Sequence, residues 1–99
     1  MSYVRLWRYR VTPGRELEFE QAYGPDGDWA RLFRRGAGYL HTELLRETPG
    51  AGTYLTIDRW RTAADWQGFR EEHGPAYREL GRKLTPLCPE NVELGNFTC

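Results

Sequence analysis

Three side chains in this sequence supply the groups that acid–base chemistry needs: His73, Tyr77 and Arg5. His73 and Tyr77 are four residues apart, which places them one turn from each other on one side of a helix. Because the unperturbed pKa of histidine is about 6.5, His73 is suited to act as a general base near neutral pH. The Tyr77 hydroxyl could hold the oxygen that loses its proton, and Arg5 could stabilise the developing negative charge. These three residues are our candidate catalytic residues.

Each candidate also has a structural explanation. His73 directly precedes Gly74-Pro75, where a histidine near a helix break commonly bonds a backbone carbonyl. Tyr77 has the spacing of a core residue, and such tyrosines usually pack with the hydroxyl at the rim. The spacing favours the structural explanation for His73 and for Tyr77. Arg5 would be costly to bury unless it meets an acid or an anionic ligand.

The stretch from Thr53 to Leu84 positions two of these candidates. Thr53–Trp60 alternates in a way that predicts a central strand. Thr62 then predicts an N-cap, and one apolar stripe predicts a helix that faces the sheet. Gly74-Pro75 predicts a kink in this helix rather than its end, since the stripe keeps its phase beyond the proline. The stripe comprises Ala63, Trp66, Phe69, His73, Tyr77, Leu80 and Leu84.

Aromatic residues are abundant, with 4 Trp, 6 Tyr and 4 Phe in 99 residues. On a first strand from Tyr3 to Val11, alternation places Arg5, Trp7 and Tyr9 on one face. Aromatic rings on this strand and on the helical stripe could form a flat wall for an aromatic substrate, or they could fill a small core. The candidate substrate-binding residues are Trp7, Tyr9, Trp66 and Phe69.

The order of elements predicts the fold. Turn residues end the first strand, and a helix follows that Gly24-Pro25-Asp26-Gly27 breaks, so that Asp28 could cap a second short helix. Further strands are predicted at Tyr39–Glu47 and Asn91–Cys99. The result is one α+β domain, residues 1–99, with the ferredoxin-like order βαββαβ and a four-stranded antiparallel sheet with both helical layers on one face. The first strand also has apolar residues, Val4 and Leu6, on its other face. We therefore expect a homodimer formed by sheet-to-sheet packing.

Composition makes several function classes improbable. Lys plus Arg equals Asp plus Glu at 14 each, so no positive excess attracts nucleic acid or a membrane surface. The amino-terminal stretch resembles neither a signal peptide nor a membrane span, and we expect a cytoplasmic protein. Cys88 and Cys99 have no metal-ligand spacing and are expected to be free thiols, with no metal site and no cofactor site. Motifs for phosphate binding and for serine nucleophiles are also missing.

The stretches Phe19–Leu45 and Tyr54–Leu80 resemble the antibiotic biosynthesis monooxygenase domains of the dimeric α+β barrel superfamily. The similar features include Trp60 at a strand end, followed by a capped helix with Trp66 and Phe69. The resemblance implies a dimeric α+β barrel. It also implies a cofactor-independent oxygenase of a small phenolic or quinol-like compound, which supplies electrons to oxygen once it is deprotonated in an apolar pocket. Arg5 would then stabilise an enolate or peroxide.

The same resemblance allows other functions. One is a non-catalytic dimeric ligand-binding or stress-response protein. Another is haem binding or degradation, for which similar proteins use an Asn on the first strand and a Trp and a His on the long helix. The matching positions here are Trp7, Phe69 and Glu79, which depart from that pattern, although Trp66 and His73 lie a turn away.

Overall fold

The alternation in the strands and the stripe on the long helix both correspond to observed elements. A computed structural model of the protein describes residues 1–99. The elements in chain order are β1 Tyr3–Arg10, α1 Glu16–Tyr23, α2 Asp28–Phe33, β2 Tyr39–Arg46, β3 Thr53–Trp60, α3 Ala63–Leu84, a 3₁₀ turn Thr85–Leu87 and β4 Glu90–Thr98.

The four strands form one antiparallel sheet in the order β2-β3-β1-β4. In this register Arg5 on β1 lies directly opposite Asp58 on β3. Because side chains alternate along a strand, both residues face the same side of the sheet. That side is covered by the helices, and the predicted ferredoxin-like α+β fold is confirmed.

The first helical region is divided in two, as predicted, but its second start differs by one residue. Asp28 is the first residue of α2, and Gly27 occupies the cap position without a side-chain cap. A Cβ at residue 27 would lie 2.4 Å from the carbonyl oxygen of Ala22, so the tight chain reversal requires glycine there. Asp28 instead pairs with Arg31 at 2.9 Å within the helix.

The long helix α3 begins and bends as the sequence predicts. The backbone N–H of Asp65 donates a hydrogen bond of 3.0 Å to Thr62 Oγ1, which caps the first turn. His73 has non-helical backbone angles (φ −117°, ψ 22°) just before Gly74-Pro75, where proline cannot continue the hydrogen-bond ladder. The helix therefore continues through a kink at His73 to Leu84.

Two apolar clusters hold the helices on the sheet. The first contains Phe19, Tyr23 and Tyr54 and extends to the 3₁₀ turn. The second contains Phe33, Trp60, Trp66 and Phe69. Strands β1, β2 and β3 thus contribute aromatic side chains to the helix-covered face, and a cavity remains between α2, α3 and the centre of the sheet.

The opposite face of the sheet has no covering layer. By the strand register, Leu6 on β1 pairs with Ile57 on β3, and Val92 and Phe97 on β4 lie beside them. Leu45, Val92 and Phe97 are each about half exposed. The second apolar face expected from the sequence is therefore present. None of the helices is both long enough and apolar enough to span a bilayer.

Candidate active site

The cavity between the sheet and the helices has a volume of about 260 Å³. All four strands and all three α-helices contribute to its wall, and each strand directs alternate side chains to the helix-covered face. Six of its 15 lining residues are aromatic, and polar or charged residues lie between the rings. The lining aromatic residues are Trp7, Tyr9, Tyr23, Trp29, Phe33 and Tyr77.

The aromatic rings are packed against one another and form fixed walls. Trp7 and Tyr9 on β1 are stacked, with ring centroids 6.2 Å apart and an interplanar angle of 20°. Across the cavity, Trp29 lies edge-on to Tyr77 with centroids 5.3 Å apart, and it also packs against Phe33 at 5.7 Å. Offset and edge-to-face ring pairs are the preferred aromatic arrangements, so this lining suits a flat aromatic ligand.

Arg5 is a buried cation in this wall, only 5% exposed. Its Nη2 donates a hydrogen bond of 2.8 Å to Glu93 Oε2 on β4. Its guanidinium carbon lies 3.9 Å from the ring centroid of Trp66, a cation–π contact. Its Nε is buried without a hydrogen-bond partner. Arg5 is therefore fixed in place and retains unused hydrogen-bonding capacity.

Asp58 is a buried anion in the same wall, 7% exposed. Its Oδ1 accepts a hydrogen bond of 2.7 Å from Thr42 Oγ1 on β2. Burial raises the pKa of Asp58 to about 6, while the Thr42 hydrogen bond and the charge of Arg5 act in the opposite direction. The carboxylate forms no ion pair, because Arg5 is engaged by Glu93.

A chain of hydrogen bonds links Asp58 to the edge of the sheet. The hydroxyl of Tyr39 lies 2.7 Å from Thr42 Oγ1. Since Thr42 has one hydroxyl proton and donates it to Asp58, Tyr39 must be the donor in this second bond. Tyr39 is half-buried, so the chain runs from the cavity towards solvent.

The remaining titratable groups of the wall are held neutral or are permanently cationic. Burial raises the pKa of Tyr9 and of Tyr23 above the ordinary value of a phenol. Burial also raises the pKa of Cys88, whose Sγ donates to the Tyr23 hydroxyl at 3.2 Å, so this thiol is a poor nucleophile. Tyr77 and Arg78 on α3 also line the cavity.

Comparison with known families identifies the family of this chain. The family described as "Antibiotic biosynthesis monooxygenase" matches residues 2–80. The chain belongs to the antibiotic biosynthesis monooxygenase family.

Solved structures of this fold include proteins with different descriptions. SnoaB, described as a cofactor-independent oxygenase from Streptomyces nogalater, aligns with a TM-score of 0.80 and 23% identity over 99% of this chain and 92% of its own. A putative antibiotic biosynthesis monooxygenase from Bordetella bronchiseptica aligns with a TM-score of 0.75 and 19% identity, covering 99% and 96%. MhuD, solved as a mutant with manganese protoporphyrin IX bound, aligns at 0.68 and 22%, covering 98% and 93%. No curated protein matches the chain by sequence.

Four of the residues predicted for the site line the cavity of this monooxygenase-like protein: Arg5, Trp7, Tyr9 and Tyr77. Trp66 lies behind Arg5 and supports its guanidinium rather than forming the wall. Phe69 is 2% exposed and belongs to the second apolar cluster, between Trp60 and Trp66. Its predicted contact with substrate does not agree with this position.

His73 does not line the cavity, contrary to what its role as the base requires. Its ring lies against Phe69, with centroids 5.3 Å apart, and its Nε2 is buried without a hydrogen-bond partner. Nε2 therefore does not make the hydrogen bond to a backbone carbonyl that was the structural explanation for His73 either. The reason is its position along α3. The cavity borders Tyr77, Arg78 and Gly81, whereas His73 comes before them in the helix and lies over the second apolar cluster.

Sequence reasoning missed the polar half of the wall, above all Asp58, Thr42 and Thr56. One signal was available for Asp58. It lies an even number of residues from the buried residues Tyr54 and Trp60, so a carboxylate had to lie on the core-facing side of a central strand. Such a group is unusual unless it is paired or functional.

The residues of the cavity wall lack what haem binding would require. None of its residues is a histidine, and His73 lies outside it. The one thiol, Cys88, is buried with a raised pKa and hydrogen-bonded to Tyr23. At about 260 Å³ the cavity also falls below the range of roughly 300–1,000 Å³ for drug-sized ligands. These residues do not fit haem.

Proposed function

We propose that the protein is a cofactor-independent oxygenase of a small phenolic or quinol-like compound. The observation that supports this proposal is one cavity in which aromatic walls enclose a buried carboxylate, Asp58, and a buried guanidinium, Arg5. Buried opposite charges that do not pair with each other are expensive for folding and are characteristic of functional sites. The family and the likeness to an oxygenase fold agree with this reaction class.

The cavity selects for a flat and compact substrate. Offset stacking on Trp7 and Tyr9, or edge contacts with Trp29 and Tyr77, each contribute on the order of 1 kcal/mol beyond area burial. The volume suits a small fused-ring compound and excludes a large one. Thr56 Oγ1 and Trp29 Nε1 are buried without partners, and both residues offer hydrogen-bonding capacity at the wall.

The chemistry follows from the charge of the substrate after it loses a proton. A phenolate or enolate is electron-rich and can donate electrons to molecular oxygen directly. The cation of Arg5 stabilises that anion, and the apolar rings strengthen this interaction because they exclude water. Tyr77, which lines the cavity, remains a candidate for holding the substrate oxygen.

Oxygen uptake with a panel of hydroquinones and anthrones tests this function, and α3 offers a matched pair of variants. Gly81 lies in the cavity wall, and a Cβ there would meet Trp29 at an ordinary 3.8 Å, so Gly81→Leu should fold while filling the cavity. Gly68 lies on the same helix with open space around its Cβ, which makes Gly68→Leu the control.

We expect wild type and Gly68→Leu to consume oxygen with at least one member of the panel and Gly81→Leu to lose most of that rate. Equal rates in all three proteins would place the reaction outside the cavity. If wild type binds members of the panel without consuming oxygen, the protein is instead a ligand-binding protein, and the oxygenase proposal is withdrawn.

We further propose that two chains pair through the uncovered sheet face to form the dimeric α+β barrel. The exposed apolar side chains of β2 and β4, together with Leu6 and Ile57 between them, support this assembly. Contiguous exposed apolar surface of this kind is typical of an interface.

A further inference from the structure

We propose that Asp58 is the general base of this site, taking a proton from a hydroxyl or an acidic C–H of the aromatic substrate while Arg5 holds the resulting anion. The inference rests on the proposed function and assigns the proton acceptor that the reaction requires. It replaces His73, which does not reach the cavity.

The arrangement of charges leaves both groups free to act on a ligand. Arg5 and Asp58 are direct cross-strand partners, yet the ion pair of Arg5 is made with Glu93 on the other neighbouring strand. Asp58 is buried and forms no ion pair. A ligand oxygen in the cavity therefore has a proton acceptor and a cation on adjacent strands of the same wall.

No other group in the wall is suited to accept a proton near neutral pH. The titratable groups that face Asp58 are Arg5 and Tyr9 on β1, Tyr23 on α1, Tyr77 and Arg78 on α3, and Cys88. Arginine stays protonated, and phenols and thiols are neutral acids at this pH rather than bases. Burial raises the pKa of Tyr9, Tyr23 and Cys88 further from neutrality.

Thr42 acts as a positioning residue for the base. Its hydroxyl donates to Oδ1 of Asp58, and no hydrogen bond is made to Oδ2, which is the oxygen left for the substrate. Tyr39 in turn donates to Thr42, so the carboxylate is held by a chain that reaches the sheet edge. Locking a catalytic carboxylate through a second layer of hydrogen bonds keeps its geometry productive.

The step is balanced without any further reactant. The O–H or C–H bond of the substrate breaks, an O–H bond forms on Asp58, and the electron pair stays on the substrate as a phenolate or enolate. The negative charge thus moves from Asp58 to the substrate, beside Arg5, and the net charge of the cavity is unchanged. The preferred substrate is therefore a neutral acid, since Asp58 would repel a compound that already carries a carboxylate.

Anaerobic deuterium exchange separates this proton transfer from the reaction with oxygen. Anthrone has an acidic methylene group, and in deuterium oxide without oxygen its replacement by deuterium is followed by proton NMR. We expect wild type to accelerate exchange and Asp58→Asn to lower the rate by about 100-fold or more, the usual contribution of a general base. Asp26→Asn, at a surface carboxylate whose side chain is 90% exposed, is the matched control and should exchange as wild type does.

The outcomes distinguish the two proposals. Exchange that is fast in wild type and lost in Asp58→Asn, without aerobic oxygen uptake by wild type, would overturn the oxygenase and leave the base assigned. Oxygen uptake that persists at the wild-type rate in Asp58→Asn, or no exchange above buffer in wild type, would overturn the assignment of Asp58. If Asp58→Asn does not fold, Thr42→Val replaces it. Loss of the Thr42 hydrogen bond should move the pH midpoint of exchange upward, and an unchanged midpoint would contradict the proposal.

Discussion

At the scale of single residues, Asp58 combines a cost in stability with a function in the cavity. A carboxylate on the core-facing side of a central strand loses hydration, and one hydrogen bond from Thr42 offsets only part of that loss. Burial raises its pKa from 3.8 to about 6 for this reason. The structure therefore carries a group that weakens the fold at neutral pH, which is common for catalytic residues.

Asp58→Asn should raise the free energy of unfolding at pH 8. The folded protein binds more protons than the unfolded chain between pH 3.8 and about 6, so the contribution of Asp58 to stability falls as pH rises through this window. A shift of this size corresponds to about 3 kcal/mol at most. Urea denaturation of both proteins at pH 8 and pH 4 measures the difference.

We expect the advantage of Asp58→Asn to be largest at pH 8 and to shrink towards pH 4. Exposed carboxylates such as Glu18 titrate in both proteins, and their effects cancel in the difference. An advantage that stays constant with pH, or a variant less stable than wild type at pH 8, would argue against a raised pKa.

Some residues of this cavity could be predicted from the sequence and others could not, for a physical reason. Arg5, Trp7 and Tyr9 could be predicted because alternation along one strand shows which residues share a face. The proximity of Arg5 to Asp58 could not, since it depends on the pairing register of β1 with β3, which no local pattern encodes. His73 was misplaced because a helical stripe shows the buried side of α3 but not which part of its length borders a void.

At the scale of elements, α3 supplies one side of the cavity wall from a single capped helix. Tyr77, Arg78 and Gly81 all belong to its part beyond the kink, and Trp66 belongs to its first part. The cap at Thr62, the stripe and the kink were all predicted from sequence and are confirmed, because each rests on local chemistry. The start of α2 was wrong by one residue because close contact with Ala22 selects Gly27 as the cap.

Thr62→Ala should destabilise the protein by about 1 kcal/mol, because it leaves the Asp65 N–H without its acceptor. For a chain of this size that corresponds to a decrease in Tm of roughly 4–8 °C, which differential scanning calorimetry can measure. Thr98→Ala, at the exposed end of β4, is the control and should leave Tm nearly unchanged. Equal values of Tm for wild type and Thr62→Ala would show that the cap does not stabilise α3.

At the scale of the whole molecule, one face of the sheet builds the site and the other has no cover. Phe97, at 51% exposure, lies on the uncovered face with Val92 and Leu45. In an isolated chain this surface would remain in contact with water, which is unfavourable for an apolar patch of several strands. The proposed second copy, packed on this face, would cover it.

Phe97→Asp should therefore separate the proposed dimer. Sedimentation velocity at micromolar concentration should give twice the chain mass of 11.6 kDa for wild type and a single chain mass for the variant. Leu17→Asp, on α1 at 69% exposure, adds the same charge away from the sheet and should remain dimeric. A wild-type protein that sediments as one chain would refute sheet-to-sheet pairing.

The pH dependence of oxygen consumption by the wild-type protein, with the best compound of the panel, tests the central claim most directly. If Asp58 accepts the substrate proton within the aromatic cavity, the initial rate should rise with pH through a midpoint near its pKa of about 6, and Asp58→Asn should lose this rise together with most of the rate. A profile that is flat between pH 5 and 8, or one that Asp58→Asn reproduces, would contradict the account.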